Sequence, residues 1–543
     1  MFQVWKVKVV ILAVVVLLLP ALAVYSGEKS EEPRLKGKIY RLDENSAGYL
    51  EKIDNILNLS IVSIDNNVYK AEYEAGFIQG KLLKEQIVAA RDNLWDIAFL
   101  IDQTPNFVKQ TSPTHEEMAA AEKVLINNYK YTLNYIQRQS NPALRKNLQR
   151  LLYRLIGIYH GTKFDRPEAL NFNGRWIPPT NYFSPAEMTL NYETPYLSFM
   201  DIYFINAFCD LFDVLDREHP SKCSAFVKKT DNDIFMAHNS WFGFLDQSMA
   251  ANFYINGDYF TVNQIFPGVL GSNSDFGYNN KGIMFNETTH HATFTKPKIH
   301  SLWMFWRAIL AEQFASSMDE FFRYLSLETS GTYMNGYMVV DTKTREIGLV
   351  EMSYQSFVYF KPDGKGGYQV ITKPEGLSKE YDHELLQPDY ILGINFPVSQ
   401  VIRDELLATE DRPARRRQFL SQIGNVNDIE SAKALITFTD PNEPLSIYGR
   451  WDLGYGDTPF PKTIPEGSVD AKAVSASMIS YVSNLKGILD LKSPNRSFWM
   501  KFGTPVIKGE PFIWSRSRWK GQKLRDVPDS VDGKYELLHT YIR

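Results

Sequence analysis

Cys223 and His238 are the residues best suited to chemistry in this chain. Of 543 residues only two are cysteines, Cys209 and Cys223. Cys223 opens a strand-like run, CSAFVKK, and a second run, IFMAHNSW, follows across a TDND turn. Asp and Asn in that turn mark a hairpin, and pairing the runs sets the start of the first beside the end of the second. Cys223 then neighbours His238, Asn239 and Trp241. A thiol next to an imidazole is one route to a nucleophilic thiolate. The plainer reading is that a single Cys near an arbitrary His is structural, and a disulfide to Cys209 would remove Cys223 from catalysis altogether. A second route to activation is a chain cut just before Cys223. The new α-amine, with an ordinary pKa near neutrality, accepts the thiol proton. The same thiol, attacking the carbonyl of Lys222, makes the cut itself.

Other polar groups gather in LETSGTYMNGYMVVD (327–341), where Thr329, Ser330, Thr332 and Asn335 stand just before a strand-like run. An Asn amide there can donate to an oxyanion; a polar turn capping a hairpin explains the same residues equally well. Arg450 with Asp452, and Asp470 with Lys472, read most simply as internal ion pairs. His290 and His291 are adjacent and point to opposite faces of a strand, so no metal site is expected.

These residues need elements to position them. Residues 46–65 end in a plausible strand, and 71–101 has helical spacing with Ala75, Phe77, Ile78 and Leu82 toward one side. Gly76 and Gly80 would let a neighbour approach that helix closely. Further helices are expected within 114–160 and near 197–215, so the first 215 residues are mostly helical. After Pro220 short strands dominate, helices return at 302–325, and hairpin-like strands resume beyond 330. Strand pairs and helix pairs point to α+β layers, not to repeated βαβ units.

The formal net charge of −4 and the lack of a long basic run argue against a nucleic-acid partner. At the N-terminus Lys6 and Lys8 precede an apolar run from Val9 to Leu19, then Pro20 and Ala21-Leu22-Ala23. The small-x-small pattern suits a signal-peptidase cut after Ala23; retained, the segment is an N-terminal membrane anchor. Either outcome places the bulk of the chain outside the cytosol. Asn58, Asn286 and Asn495 head N-x-S/T triplets available for glycosylation in a eukaryote.

Several segments in order resemble the phospholipase B-like proteins, a branch of the N-terminal-nucleophile hydrolases. The nucleophile segment is CSAFV…DIFMAHNSW at 223–241. YEAGFIQG (73–80), PG…S…DF (267–276), ETT (287–289), SGTYMNGYMVVD (330–341), GRWDL (449–453), GSVDAKAVSASM (467–478) and PFIWS (511–515) also fit. The resemblance implies a four-layer αββα core, autocleavage between Lys222 and Cys223 with both fragments remaining associated, and a lysosomal or secreted location. It implies Cys223 as nucleophile, its amine as base, His238, Asn239 and Trp241 in the same pocket, Asn335 as oxyanion donor and Arg450 as a further polar group. Met334 departs from the family's usual Asn, Gly336 and Tyr337 from its Gln-Trp, and Lys222 from its smaller or polar residues before the cut.

The expected architecture is therefore α+β, an αββα core with an additional helical N-terminal region. Residues 1–23 form a signal peptide or anchor, 24–45 a lead-in, 46–222 a mostly helical fragment and 223–543 the catalytic fragment. The expected activity is hydrolysis of acyl esters, phospholipid esters included, or of linear N-acyl amides, with no cofactor. One rival is an unprocessed Cys–His hydrolase using His238 as base; another is an inactive lumenal binding protein on the same fold. A homodimer stays open.

Overall fold

The computed structural model describes residues 37–538 except 101–111, 174–177, 180, 217–222, 246–248, 256–258, 273–275, 293–294, 411, 454–464, 480–497, 522–523 and 531. The signal or anchor segment and Lys222 thus lie outside the described residues. Among those described, no helix is long and apolar enough to cross a membrane.

The chain begins with strands β1 (Lys38–Arg41), β2 (Ser46–Ile53) and β3 (Ile56–Ser63). Helices α1 (Val68–Leu100), α2 (His115–Arg138), α3 (Pro142–Lys163) and α4 (Phe199–Val214) follow. Thr114 and Glu117 form a reciprocal capping box that starts α2, and Asn141 caps α3 ahead of Pro142; both devices satisfy otherwise unpaired N–H groups. Beyond Cys223 come β4 (Ser224–Lys229), β5 (Ile234–Asn239), β6 (Trp241–Gly243), β7 (Met249–Ile255), β8 (Tyr259–Ile265), β9 (Phe276–Asn279) and β10 (Ile283–Thr289). Helices α5 (Met304–Phe314) and α6 (Met318–Leu325) lead to β11 (Asn335–Asp341), β12 (Glu346–Met352), β13 (Phe357–Pro362), β14 (Tyr368–Lys373), β15 (Leu386–Gln387) and β16 (Tyr390–Gly393). Then come α7 (Gln400–Leu406), α8 (Pro413–Gln422) and α9 (Ile429–Ile436), and last β17 (Glu466–Ser468), β18 (Asp470–Ser475), β19 (Trp499–Phe502) and β20 (Glu536–Leu537).

The fold is mixed α+β. An 11-stranded sheet runs β1-β2-β3-β7-β8-β9-β10-β11-β12-β13-β14, a 7-stranded sheet runs β15-β16-β4-β5-β18-β19-β20, and β17 pairs with β6. The strand expected at the end of 46–65 is β3, which pairs with an additional strand, β2, and joins the large sheet by parallel pairing with β7. The two large sheets meet where β10 packs on β4 and β5. One apolar core lies between the 11-stranded sheet and α1–α6, and a second is shared by the facing sheets and α7–α9. Alternation of side chains along each strand feeds both.

Helices α1 and α3 cross at very short range. A Cβ on Gly76 would sit 2.1 Å from the Arg154 carbonyl oxygen, and one on Gly157 would sit 2.2 Å from that of Tyr73. Gly80 meets the Ile158 carbonyl oxygen at the same 2.1 Å. The close approach expected at Gly76 and Gly80 is therefore made by α3.

Two of the three N-x-S/T triplets are closed to modification in the folded chain, which corrects the expectation of a glycoprotein at those positions. Asn58 lies in β3 and Asn286 in β10, and both are fully buried. The Asn286 amide donates to the carbonyls of Phe226 (3.3 Å) and Ala237 (3.1 Å), tying the large sheet to the smaller one. Asn495 is outside the described residues.

Candidate active site

The hairpin read from the sequence is present: Ser224 lies opposite Asn239 and Ala225 opposite His238. Its turn is held by Thr230 and Asp233, whose backbone and side chain bond each other. Cys223 precedes β4 and is buried at 1% exposure; His238 is fully buried. Glu287, from β10, completes a group in which thiol sulfur, imidazole nitrogen and carboxylate oxygen all lie within 4.8 Å of one another. Side-chain movement to hydrogen-bond distance would let a proton pass along the trio, and its donor types can also hold a metal ion. The adjacent pair His290 and His291 gives no hint of this, because Glu287 comes from the other sheet. Cys209 and Cys223 form no disulfide, so the Cys223 thiol is not blocked in that way.

Burial is the main force holding His238 far below its usual pKa, and the Lys472 ammonium adds to it. The Glu287 backbone opposes them, yet neither ring nitrogen has a partner in hydrogen-bond geometry. Lys472 pairs with His238 across β18–β5, donates to Ser240 Oγ at 2.8 Å and forms a buried ion pair with Asp470 at 2.5 Å. Asp470 also accepts the Ser240 N–H. The ion pair expected of Asp470 and Lys472 thus braces the turn between His238 and Trp241.

Asn239 and Trp241 hold the scaffold. The Asn239 side chain accepts from Ser224 N and donates to the carbonyls of Ile436 and Ile447, leaving its amide committed. Trp241 donates from Nε1 to the Ile447 carbonyl, and its ring lies beneath the guanidinium of Arg415 at 4.7 Å. Arg415 Nη1 donates to the Cys223 carbonyl and to Asn395 Oδ1, each at 2.9 Å. Arg412 donates to the same Asn395 oxygen, and Asn395 Nδ2 donates to the Thr289 carbonyl. Asn395 itself sits at φ 65°, in the left-handed region.

Asn335 lies opposite Thr289, whose hydroxyl donates to Glu287 Oε1 at 3.1 Å. Directly paired residues share a face, as do residues two apart, so Asn335 and Glu287 project to the same side. The Asn335 amide is fully buried and has no hydrogen-bond partner at oxygen or nitrogen. Arg450 is engaged elsewhere: it makes a two-pronged ion pair with Asp452 and donates to the carbonyls of Pro505 and Glu510. It lines an open depression of about 590 Å³ with Arg516, Arg518 and Trp519, a group separate from the Cys223 trio.

Glu287, Asn395, Arg412 and Arg415 are site residues that the sequence does not single out. Glu287 stands in the ETT segment, and the basic run RPARRRQ carries both arginines without showing which turn inward.

The phospholipase B family profile matches residues 55–524. The chain belongs to the phospholipase B family. Membership makes it a hydrolase by class. Among its relatives, phospholipase B-like protein B of Dictyostelium discoideum is 24% identical over 60% of this chain and 61% of its own length. Phospholipase B of Crotalus adamanteus is 24% identical over 85% of this chain and 81% of its own length. Among solved structures, a mutant of the conjugated bile acid hydrolase from Clostridium perfringens aligns over 52% of this chain and 89% of its own, with a TM-score of 0.27 and 10% identity.

Proposed function

We propose that this phospholipase B family member hydrolyses acyl bonds with Cys223 as nucleophile, His238 as the group that takes and returns its proton, and Glu287 as the carboxylate that orients them. The observation that carries this reading is the buried thiol–imidazole–carboxylate trio within 4.8 Å. The Cys223 sulfur attacks the acyl carbon, and its proton passes to His238 and on to the leaving alcohol or amine. The unpartnered Asn335 amide, with backbone N–H groups, holds the oxyanion. Water then opens the thioester. Phospholipid acyl esters follow from the family, and linear N-acyl amides suit the same steps.

A second reading has its own support. A buried imidazole held well below its usual pKa is a poor base, and a thiol at 1% exposure is closed to a bulky acyl chain. A self-cut between Lys222 and Cys223 answers both points. It supplies an α-amine as base and frees the chain end beside the sulfur. In this reading the facing sheets and their outer helices form the αββα layers of an N-terminal-nucleophile hydrolase. Residues 46–222 and 223–543 then stay together as two fragments in an exported, lysosomal or secreted protein.

The deciding experiment measures intact masses under denaturing conditions at neutral and acid pH, beside phospholipid and N-acyl amide hydrolysis. Wild type, Cys223→Ala, Cys223→Ser and His238→Ala are compared. An uncut active chain silenced by His238→Ala supports the Cys–His reading. A fragment beginning at Cys223 that vanishes in Cys223→Ala supports the self-cut. A folded chain that stays uncut and hydrolyses neither substrate overturns both and leaves a binding role.

A further inference from the structure

The trio is also a set of donors for a soft divalent cation. Zinc is held by thiolate sulfur, imidazole nitrogen and carboxylate oxygen, and three such donors leave a fourth position open. The donor atoms of Cys223, His238 and Glu287 lie within 4.8 Å of one another, and all three residues are buried. Zinc bonds of ~2.0–2.3 Å call for donor separations of about 3.3–3.7 Å. The trio must therefore draw in by roughly an ångström, a movement side-chain rotation can supply.

Two further observations favour an ion here. Neither buried His238 ring nitrogen has a partner in hydrogen-bond geometry and only the Glu287 backbone acts on the ring, so a metal bond displaces little. Charge also balances, because a thiolate and a carboxylate together neutralise a divalent ion and leave no net charge in a buried site. Lys472, the cation that acts on His238, is already compensated by Asp470.

We propose that Cys223, His238 and Glu287 bind one zinc-type divalent cation, and that this ion silences the nucleophile until it is withdrawn. The silencing half rests on the reading of Cys223 as nucleophile. On binding, the S–H bond breaks, its proton leaves to solvent, and the sulfur electron pair forms the metal bond. That pair is then unavailable for attack on an acyl carbon.

The test uses the full chain, freed of metal by a chelator and then titrated with Co²⁺ or Zn²⁺. Cobalt reports thiolate ligation through its sulfur-to-metal absorption band. Elemental analysis after desalting gives stoichiometry. Alkylation of Cys223 by iodoacetamide, followed by peptide mapping, gives thiol availability, with Cys209 as the internal comparison. The expected result is one ion per chain, a thiolate–cobalt band, and alkylation of Cys223 slowed at least tenfold by Zn²⁺ and restored by chelator. Glu287→Gln and His238→Ala should each raise the zinc concentration needed for protection at least tenfold. The wild-type band and protection assay stand even where a variant fails to fold. Absence of the band at saturating Co²⁺, or zinc bound with Cys223 alkylated at its metal-free rate, overturns the proposal. Protection of Cys223 in a chelator-reversible manner, with no hydrolysis by the metal-free protein, supports the ion site and sinks the nucleophile reading instead.

Discussion

Arg415 shows how much of the site is set by a single side chain. Its guanidinium bonds the Cys223 carbonyl and the Asn395 oxygen while lying on the Trp241 ring. Lysine keeps the charge but loses the planar group that stacks and bonds in fixed directions. Arg415→Lys should therefore lower acyl turnover by roughly ten- to a hundredfold, since small displacements of a reacting group cost that much. Comparing kcat with KM checks it, because a positioning loss falls mainly on kcat. The nearness of Cys223 to His238 was legible because one short hairpin carries both, so local turn chemistry fixes their distance. Glu287, Asn395 and Arg415 reach the same point from β10, from the turn after β16 and from α8. No spacing rule joins residues that tertiary packing alone brings together. Arg450 shows the converse: an isolated arginine in a matching segment reads the same whether it faces a substrate or bonds Asp452.

At the scale of elements, the α1–α3 crossing depends on missing side chains. A methyl group on Gly157 would enter backbone atoms of α1 that cannot rotate aside. Gly157→Ala should cost at least roughly 2 kcal/mol of stability through overpacking, whereas Gly424→Ala, with nothing within 4 Å of its added Cβ, should change little. Denaturant titration of both variants checks the contrast. The α1 helix itself was legible from its apolar spacing, expected over 71–101 and found over Val68–Leu100. Its partner was not, because glycine spacing shows that something comes close without showing what. The parallel pairing of β3 with β7 was equally hidden, since pairing partners nearly two hundred residues apart leave no local mark.

Across the whole molecule, the halves before and after Cys223 are interleaved. Strand β3 is built into the sheet beside β7, and Asp210 on α4 accepts the Met304 and Phe305 N–H groups at the start of α5. Arg525 reaches back to Asp96 and Glu193. Such ties join the segments on either side of Cys223 within the folded chain. Buried acids shape the response to pH. Burial, partly offset by N–H bonds from Val398 and Ser399 and by Arg403, raises the Glu351 pKa to about 7, with Asp382 adding to the rise. Its other titratable neighbour, His290, lies 3.9 Å away and is pushed down to about 3 by its own burial. Because the folded state binds the Glu351 proton more tightly than the unfolded state, this group's contribution is fully present below about pH 4.5 and fades as pH rises through 7. The stability difference between Glu351→Gln and wild type should move in the variant's favour by on the order of 3 kcal/mol from about pH 4.5 to about 7. Denaturation of both at several pH values measures it. The buried amide of Asn286 has a consequence for biosynthesis. Oligosaccharide transfer acts on extended chain, and a glycan at Asn286 would stand in the seam where two sheets must close. In a secretory pathway that adds such glycans, closure of these strands must outrun the transferase at Asn286, or the modified copies never fold.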